Sequence, residues 1–158
     1  MIRRAGPQDV RFLRDMLHHA FYWREASPSE DEPTYRYVYN WCRPGDAGVI
    51  ALDDGFPVGA AWYRLFTDDQ QGYGFVDERT PELAIAVVPS RRGRGFGEEL
   101  LTGLFARARE DGHAALTLAV DRGNPAIRLY ERFGFREVRA EGETVVMRAE
   151  LASPSDTD

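Results

Sequence analysis

Residues 87–101 read VVPSRRGRGFGEELL, which sets Arg91, Arg92 and Arg94 among Gly93, Gly95 and Gly97, between an apolar run and a helical one. Glycine lets the main chain approach a ligand closely, and at a helix N-terminus converging N–H groups add roughly half a positive charge. The natural guest is a phosphate, with at least one of the three guanidiniums expected to reach it. Two familiar phosphate loops do not fit. A dinucleotide site requires G-x-G-x-x-G after a first strand and a triphosphate loop requires G-K-[ST], whereas this chain has G-x-G-x-G and no lysine. Three spaced glycines also exceed what a solvated turn needs, because each costs conformational entropy on folding.

The elements around this stretch follow from periodicity. Ile2 to Ala5 predicts a short strand, broken at Gly6 and Pro7, with Asp9 as the expected cap of a helix whose face is Val10, Leu13, Leu17 and Ala20. Residues 27–33, SPSEDEP, predict a loop, and Tyr35, Val38, Tyr39 and Cys42 repeat at helical spacing up to Pro44. Val49 to Leu52 and Val58 to Phe66, joined through Asp53, Asp54 and Gly55, predict a hairpin. Residues 67–80 predict a long turn or irregular strand pair, Leu83 to Val88 a strand, and Glu98 to Ala108 a helix closed by Gly112. Ala114 to Val120 then predicts a strand and Pro125 to Phe133 a helix ended by Gly134. Two last strands follow around Phe135 to Val138 and Thr144 to Leu151. The order β-α-α-β-β-β-α-β-α-β-β predicts one α/β domain over residues 1–151, a mixed sheet of six to seven strands with about four helices, and a disordered tail over 152–158.

Composition removes several classes. All 20 basic residues are arginine, so Schiff-base chemistry has no side chain to use. Cys42 is the only cysteine and the three histidines are scattered, so neither a disulfide framework nor a metal site is expected; Cys42, beside Trp41, reads as a buried packing residue. A net charge of −6 argues against nucleic-acid binding. With no window apolar enough for a membrane span or a signal peptide, the expected location is the cytoplasm.

The segment Arg92-Gly93-Arg94-Gly95-Phe96-Gly97 resembles the [QR]-x-x-G-x-[GA] signature of the GCN5-related N-acetyltransferases, and the strand Ile85-Ala86-Val87-Val88-Pro89 precedes it as in that family. A second stretch, Asn124-Pro125-Ala126-Ile127-Arg128-Leu129-Tyr130-Glu131-Arg132-Phe133-Gly134-Phe135, is similar to the family's N-x-x-A-x-x-x-Y-x-x-x-G-F, with Asn124 one residue nearer Tyr130 than the commoner spacing. The resemblance covers nearly the whole chain, most thinly over 21–48 and 67–80. It implies that Arg92 to Glu98 hold the diphosphate of acetyl-CoA, the acyl-donor co-substrate, with Asn124 as a further contact. It also implies that main-chain groups of Ile85, Ala86 and Val87 hold the pantetheine arm and polarise the thioester carbonyl.

By the same resemblance, a primary amine attacks the thioester directly, through a tetrahedral intermediate and without a covalent enzyme species. Tyr130 is then the candidate general acid, since a phenol near pKa 10 stays protonated at neutral pH and can donate to a departing thiolate. Glu82, at the start of the cofactor strand, resembles the family's glutamate that accepts the amine proton, directly or through water. Strand alternation puts Glu82, Ala84 and Ala86 on one face; a glutamate after Pro81 is also where an ordinary solvated carboxylate would sit. The acceptor groove would be walled by Phe21, Tyr22, Trp23, Tyr35, Tyr37, Tyr39, Tyr73 and Phe75, with Glu30, Asp31, Glu32, Asp77 and Glu78 nearby. Such a wall suits a cationic amine, and core packing is the other reading of the same aromatics. The acceptor would be a small-molecule or peptide amine, and a homodimer stays open. The rival functions are a non-catalytic acyl-CoA-binding module and a nucleotide-binding domain of unrelated fold.

Overall fold

The computed structural model describes residues 1–21 and 33–151. Tyr22, Trp23, Glu30, Asp31, Glu32 and the tail 152–158 lie outside the described residues, as does the side chain of Phe21. Seven strands form one mixed sheet: β1 (Ile2–Arg4), β2 (Ala47–Asp53), β3 (Phe56–Arg64), β4 (Glu82–Val87), β5 (Ala115–Asp121), β6 (Arg136–Glu141) and β7 (Thr144–Glu150). Their order is β1-β2-β3-β4-β5-β7-β6, with β4 and β5 parallel. The α-helices among the described residues are α1 (Val10–Phe21), α2 (Phe96–Glu110) and α3 (Ile127–Arg132). None of the described helices is long and apolar enough to cross a membrane.

The fourth expected helix, over Tyr35 to Cys42, does not form. Pro33–Tyr37 is a 3-10 turn, after which Asn40 and Cys42 take φ of 56° and 78°, a left-handed conformation no α-helix continues through. The competing interaction is local: the N–H groups of Cys42 and Arg43 donate to Asp46 Oδ2 at 3.0 and 3.1 Å, offering the backbone an alternative to helical bonds. Cys42 is consequently exposed rather than a packing residue. Asp9, expected as a cap, lies inside a 3-10 turn (Pro7–Asp9), where its carboxylate accepts the Gly6 N–H at 2.8 Å and pairs with Arg3. Those hydrogen bonds and the guanidinium hold the Asp9 carboxyl below the usual carboxylate range.

By contact density the chain groups into two compact units. The first is Met1–Arg64 with Ala84–Leu104, the second Leu65–Leu83 with Phe105–Asp158. In the first, β2 and β3 pair in register from Ala47 opposite Tyr63, with one irregularity at Ala51/Leu52. Gly59 on β3 has no room for a Cβ, which would stand 2.9 Å from the Ala86 carbonyl oxygen. Arg64 ends β3 fully buried. Its Nε donates to Asp46 Oδ1 at 3.0 Å, and its Nη1 donates to the carbonyls of Arg36 and Tyr39 at 2.9 and 2.7 Å. Trp62 Nε1 donates to the Tyr37 carbonyl at 2.9 Å, so β3 pins the 3-10 segment by side chains.

In the second unit β5 pairs with β7 along its whole length, and Phe105 meets Phe133 and Phe135 edge-on at 5.4 and 5.7 Å. The expected C-terminal glycines are in place, with φ of 85° at Gly112 and 93° at Gly134.

Removing one member of a buried, hydrogen-bonded ion pair strands the other, typically at a cost of about 3–5 kcal/mol. Asp46→Ala is therefore expected to lower unfolding free energy in urea by about that amount. The double variant Asp46→Leu/Arg64→Met should recover only part of the loss, because the carbonyls of Arg36 and Tyr39 lose their donor. A near-neutral Asp46→Ala would contradict this account.

Candidate functional site

In the first unit, strand, loop and helix head run continuously from β4 into α2. Val88 donates its N–H to the Val58 carbonyl of β3 at 2.8 Å, which fixes the parity of the strand. Main-chain groups alternate sides along a strand, so Ala84 and Ala86 face β3 while Ile85 and Val87 face the opposite edge. Pro81 has the same parity as Ile85, and its carbonyl accepts the Thr117 N–H of β5 at 3.0 Å. Register pairing of β4 with β5 is confined to Glu82 opposite Thr117. The main-chain groups of Ile85 and Val87 are thus directed away from β3. The Ala86 main chain is turned toward β3, against Gly59.

The loop after β4 makes a 3-10 turn over Pro89–Arg91. Gly93 and Gly95 then take φ of 77° and 87°, with open space where a Cβ would stand on either. The first backbone bond of α2 runs from Glu99 N–H to the Gly95 carbonyl at 3.1 Å. The amides of Gly93, Arg94, Gly95, Phe96 and Gly97 donate to no backbone acceptor among the described residues. Amides left without an acceptor before and at a helix head are available to an anion. Phe96 is buried and anchors this end, whereas Glu98 is exposed in the first turn of α2.

The arginines divide. Arg91 Nε lies 2.8 Å from Asp53 Oδ2, and Arg94 Nη1 reaches the same oxygen at 3.5 Å while its guanidinium stands 5.6 Å from the Phe96 ring centroid. Arg92 Nε donates to the Val87 carbonyl at 3.2 Å. Sequence reasoning missed Asp53 as the counter-ion of this loop. Its position in the β2–β3 turn, next to Asp54 and Gly55, was read only as a hairpin signal.

In the second unit Glu82 is 1% exposed, unlike the solvated carboxylate that its place after Pro81 also allowed. Gly74 explains part of this burial: a Cβ there would lie 3.1 Å from Glu82 Cδ and 2.9 Å from the Leu118 carbonyl carbon, so only glycine lets the 67–80 loop close over both. Arg139 on β6 holds that loop by donating Nη1 to the Phe75 carbonyl at 2.7 Å. Thr117, opposite Glu82, is fully buried and escaped the sequence reading because a lone threonine in ALTLAV signals only a strand.

Tyr130 is 7% exposed, and burial pushes its phenol up from the usual tyrosine value. Its carbonyl accepts the Phe135 N–H at 3.1 Å while Glu131 accepts that of Gly134 at 3.0 Å, the hydrogen-bond pair of a Schellman C-cap. The Tyr130 and Phe135 rings complete that motif at 6.0 Å. Asn124 Oδ1 accepts the Ala126 N–H at 2.9 Å, so this side chain organises the turn into α3.

The described members of the expected acceptor wall divide. Tyr37 and Phe75 are buried in the core, and Tyr35 lies under the chain's own Arg14 at 5.3 Å. Tyr39 and Tyr73 are exposed, at 62% and 41%. Asp77 accepts from Arg79 N–H and Thr80 Oγ1, and Glu78 from Asp68 N–H, so both carboxylates structure their own loop. Among the described residues, no three His, Cys, Asp or Glu side chains stand together as metal ligands.

Comparison with known proteins matches residues 12–135 to the acetyltransferase (GNAT) family. The chain is 32% identical over 113 residues to the L-2,4-diaminobutyric acid acetyltransferase of Nocardia farcinica, covering 66% of this chain and 52% of that one. It spans 28–52% of the length of the first curated relatives that it matches. Among solved structures, the ribosomal-protein-alanine N-acetyltransferase of Brucella melitensis superposes with a TM-score of 0.68 at 27% identity, covering 95% of this chain and 99% of that one. A Salmonella typhimurium structure holding its cofactor acetyl-CoA shares the fold, with a TM-score of 0.70 at 22% identity, covering 97% and 94%. The family match runs over residues 12–135, well beyond half of the sequence, and the chain belongs to the acetyltransferase (GNAT) family.

Proposed function

We propose that this protein is an N-acetyltransferase that passes the acetyl group of acetyl-CoA directly to a primary amine. The observation that carries the reading is the run of five unclaimed amides from Gly93 to Gly97, made reachable by the left-handed Gly93 and Gly95. These amides would take the diphosphate, supplemented by Arg92. The Ile85 and Val87 main chains, directed away from β3, would hold the pantetheine arm and polarise the thioester carbonyl. Each such donor is worth about 3 kcal/mol in other acyl-transfer sites.

Glu82 would receive the proton that the attacking amine loses, directly or through water. Its burial keeps the carboxylate apart from bulk water. Tyr130 would return a proton to the departing thiolate. Burial keeps this phenol protonated and makes it a weaker acid toward a thiolate whose thiol has a pKa near 8.5 in water. The diaminobutyrate and ribosomal-protein-alanine activities named for the relatives suggest two acceptor classes, a small amino acid with a side-chain amine and a peptide N-terminus.

Calorimetry with acetyl-CoA should give heat of binding to the wild type. Gly95→Val should lose at least tenfold in affinity while keeping its circular dichroism, since φ of 87° excludes a β-branched residue and a side chain would enter the open space of the cradle. Unchanged affinity in that variant would remove the loop from the binding site. In a thiol-release assay with L-2,4-diaminobutyrate and an alanine-initiated peptide, Tyr130→Phe should lower kcat at least tenfold with acetyl-CoA affinity held within a few-fold. Equal turnover would exclude Tyr130 as the acid. Binding without thiol release from any amine would leave an acyl-CoA-binding module.

A further inference from the structure

Thr117 is fully buried, and its hydroxyl has no hydrogen-bond partner among the described residues. Such a group loses its bonds to water and gains nothing in exchange, whereas valine would fill the same volume without that loss. The position is also particular. Thr117 is the residue at which β5 registers with β4, and its partner is Glu82. Side chains in register on neighbouring strands rise from one face, with the strands roughly 5 Å apart. Over it lies the Gly74 main chain, close enough to Glu82 Cδ and to β5 that no Cβ fits.

We propose that Thr117 is a positioning residue for the base: its hydroxyl holds, against the Glu82 carboxylate, the water through which the acceptor amine is deprotonated. The proposal rests on the base reading of Glu82. As the amine nitrogen bonds to the acyl carbon and the C–S bond breaks, the amine proton passes to this water. The water gives one of its own protons to Glu82. Thr117 neither gains nor loses a proton; it fixes the orientation of the water and supports the ionised form of Glu82. Serine preserves this function and valine removes it.

Glutamate-selective 13C labelling, with Glu82→Gln to assign the resonance, reads the contact without any acceptor. Through the shared water the hydroxyl favours the charged carboxylate, so its loss favours the neutral acid. Thr117→Val should therefore move the Glu82 titration midpoint upward by about one pH unit or more. Thr117→Ser should leave it within a few tenths. The ascending limb of the kcat/KM profile with the better of the two amines above should move the same way in Thr117→Val, and its Tm should match or exceed that of the wild type. Should valine fold poorly, Thr117→Ala and Thr117→Ser both lack the methyl, and only alanine should shift the midpoint. An unchanged midpoint in Thr117→Val, or equal shifts in Ala and Ser, would overturn the proposal. If Glu82→Gln keeps full turnover while the Thr117→Val shift persists, the base reading and the catalytic purpose of Thr117 both fall, and only the contact stands.

Discussion

The hydrogen bond from Val88 N–H to the Val58 carbonyl sets the direction of every peptide in β4. Side alternation transmits that choice backward along the strand, so Ile85 and Val87 must aim their polar groups away from β3. Slipping the register by one would send Ala84 and Ala86 outward instead, and no side-chain substitution could restore the original donors. The tight seat of Gly59 under the Ala86 carbonyl guards against such a slip, because it fits bare backbone at that one position. The same parity brings the Arg92 side chain onto the Val87 carbonyl, so loop and strand are referenced to one another.

The position of Tyr130 depends on a different device. In α3, only six residues long, the tyrosine ring is carried within the last turn, where fraying would ordinarily blur it. Gly134 at φ 93° lets the chain reverse sharply enough for Phe135 to bond back to the Tyr130 carbonyl and lay its fully buried ring beside the phenol. Catalytic candidate and structural stop signal are thus parts of one motif, since the spacing from Tyr130 through Gly134 to Phe135 is that of the cap. This gives a physical reason for a tyrosine and a glycine four residues apart that does not depend on their chemistry with a ligand.

What the sequence disclosed followed from rules of short range. Glycines at 93, 95, 112 and 134 reported left-handed or close-approach backbone, and alternating apolar runs reported strands, because both depend on neighbours within a few residues. The false helix at Tyr35 to Cys42 came from the same rule applied to a segment whose fate is decided by Asp46 and Arg64, the latter distant in sequence. Cys42 was misjudged with it. Asp53 and Thr117 were silent for a related reason: each matters only through a partner brought close by folding, Arg91 for one and Glu82 for the other. Glu82 itself was legible by position, yet its burial depends on Gly74, which a reading of the 67–80 turn treats as mere flexibility.

The two guanidiniums drawn onto Asp53 share one carboxylate, so part of the loop's positive charge is offset before any anion arrives. An incoming diphosphate must compete with a fixed carboxylate for Arg91 and Arg94, whereas Arg92 faces no such competitor. Discrimination among anions falls to the direction and spacing of peptide dipoles instead of to bulk charge. Two anions of equal charge would then be told apart by how their oxygens meet the amides from Gly93 to Gly97.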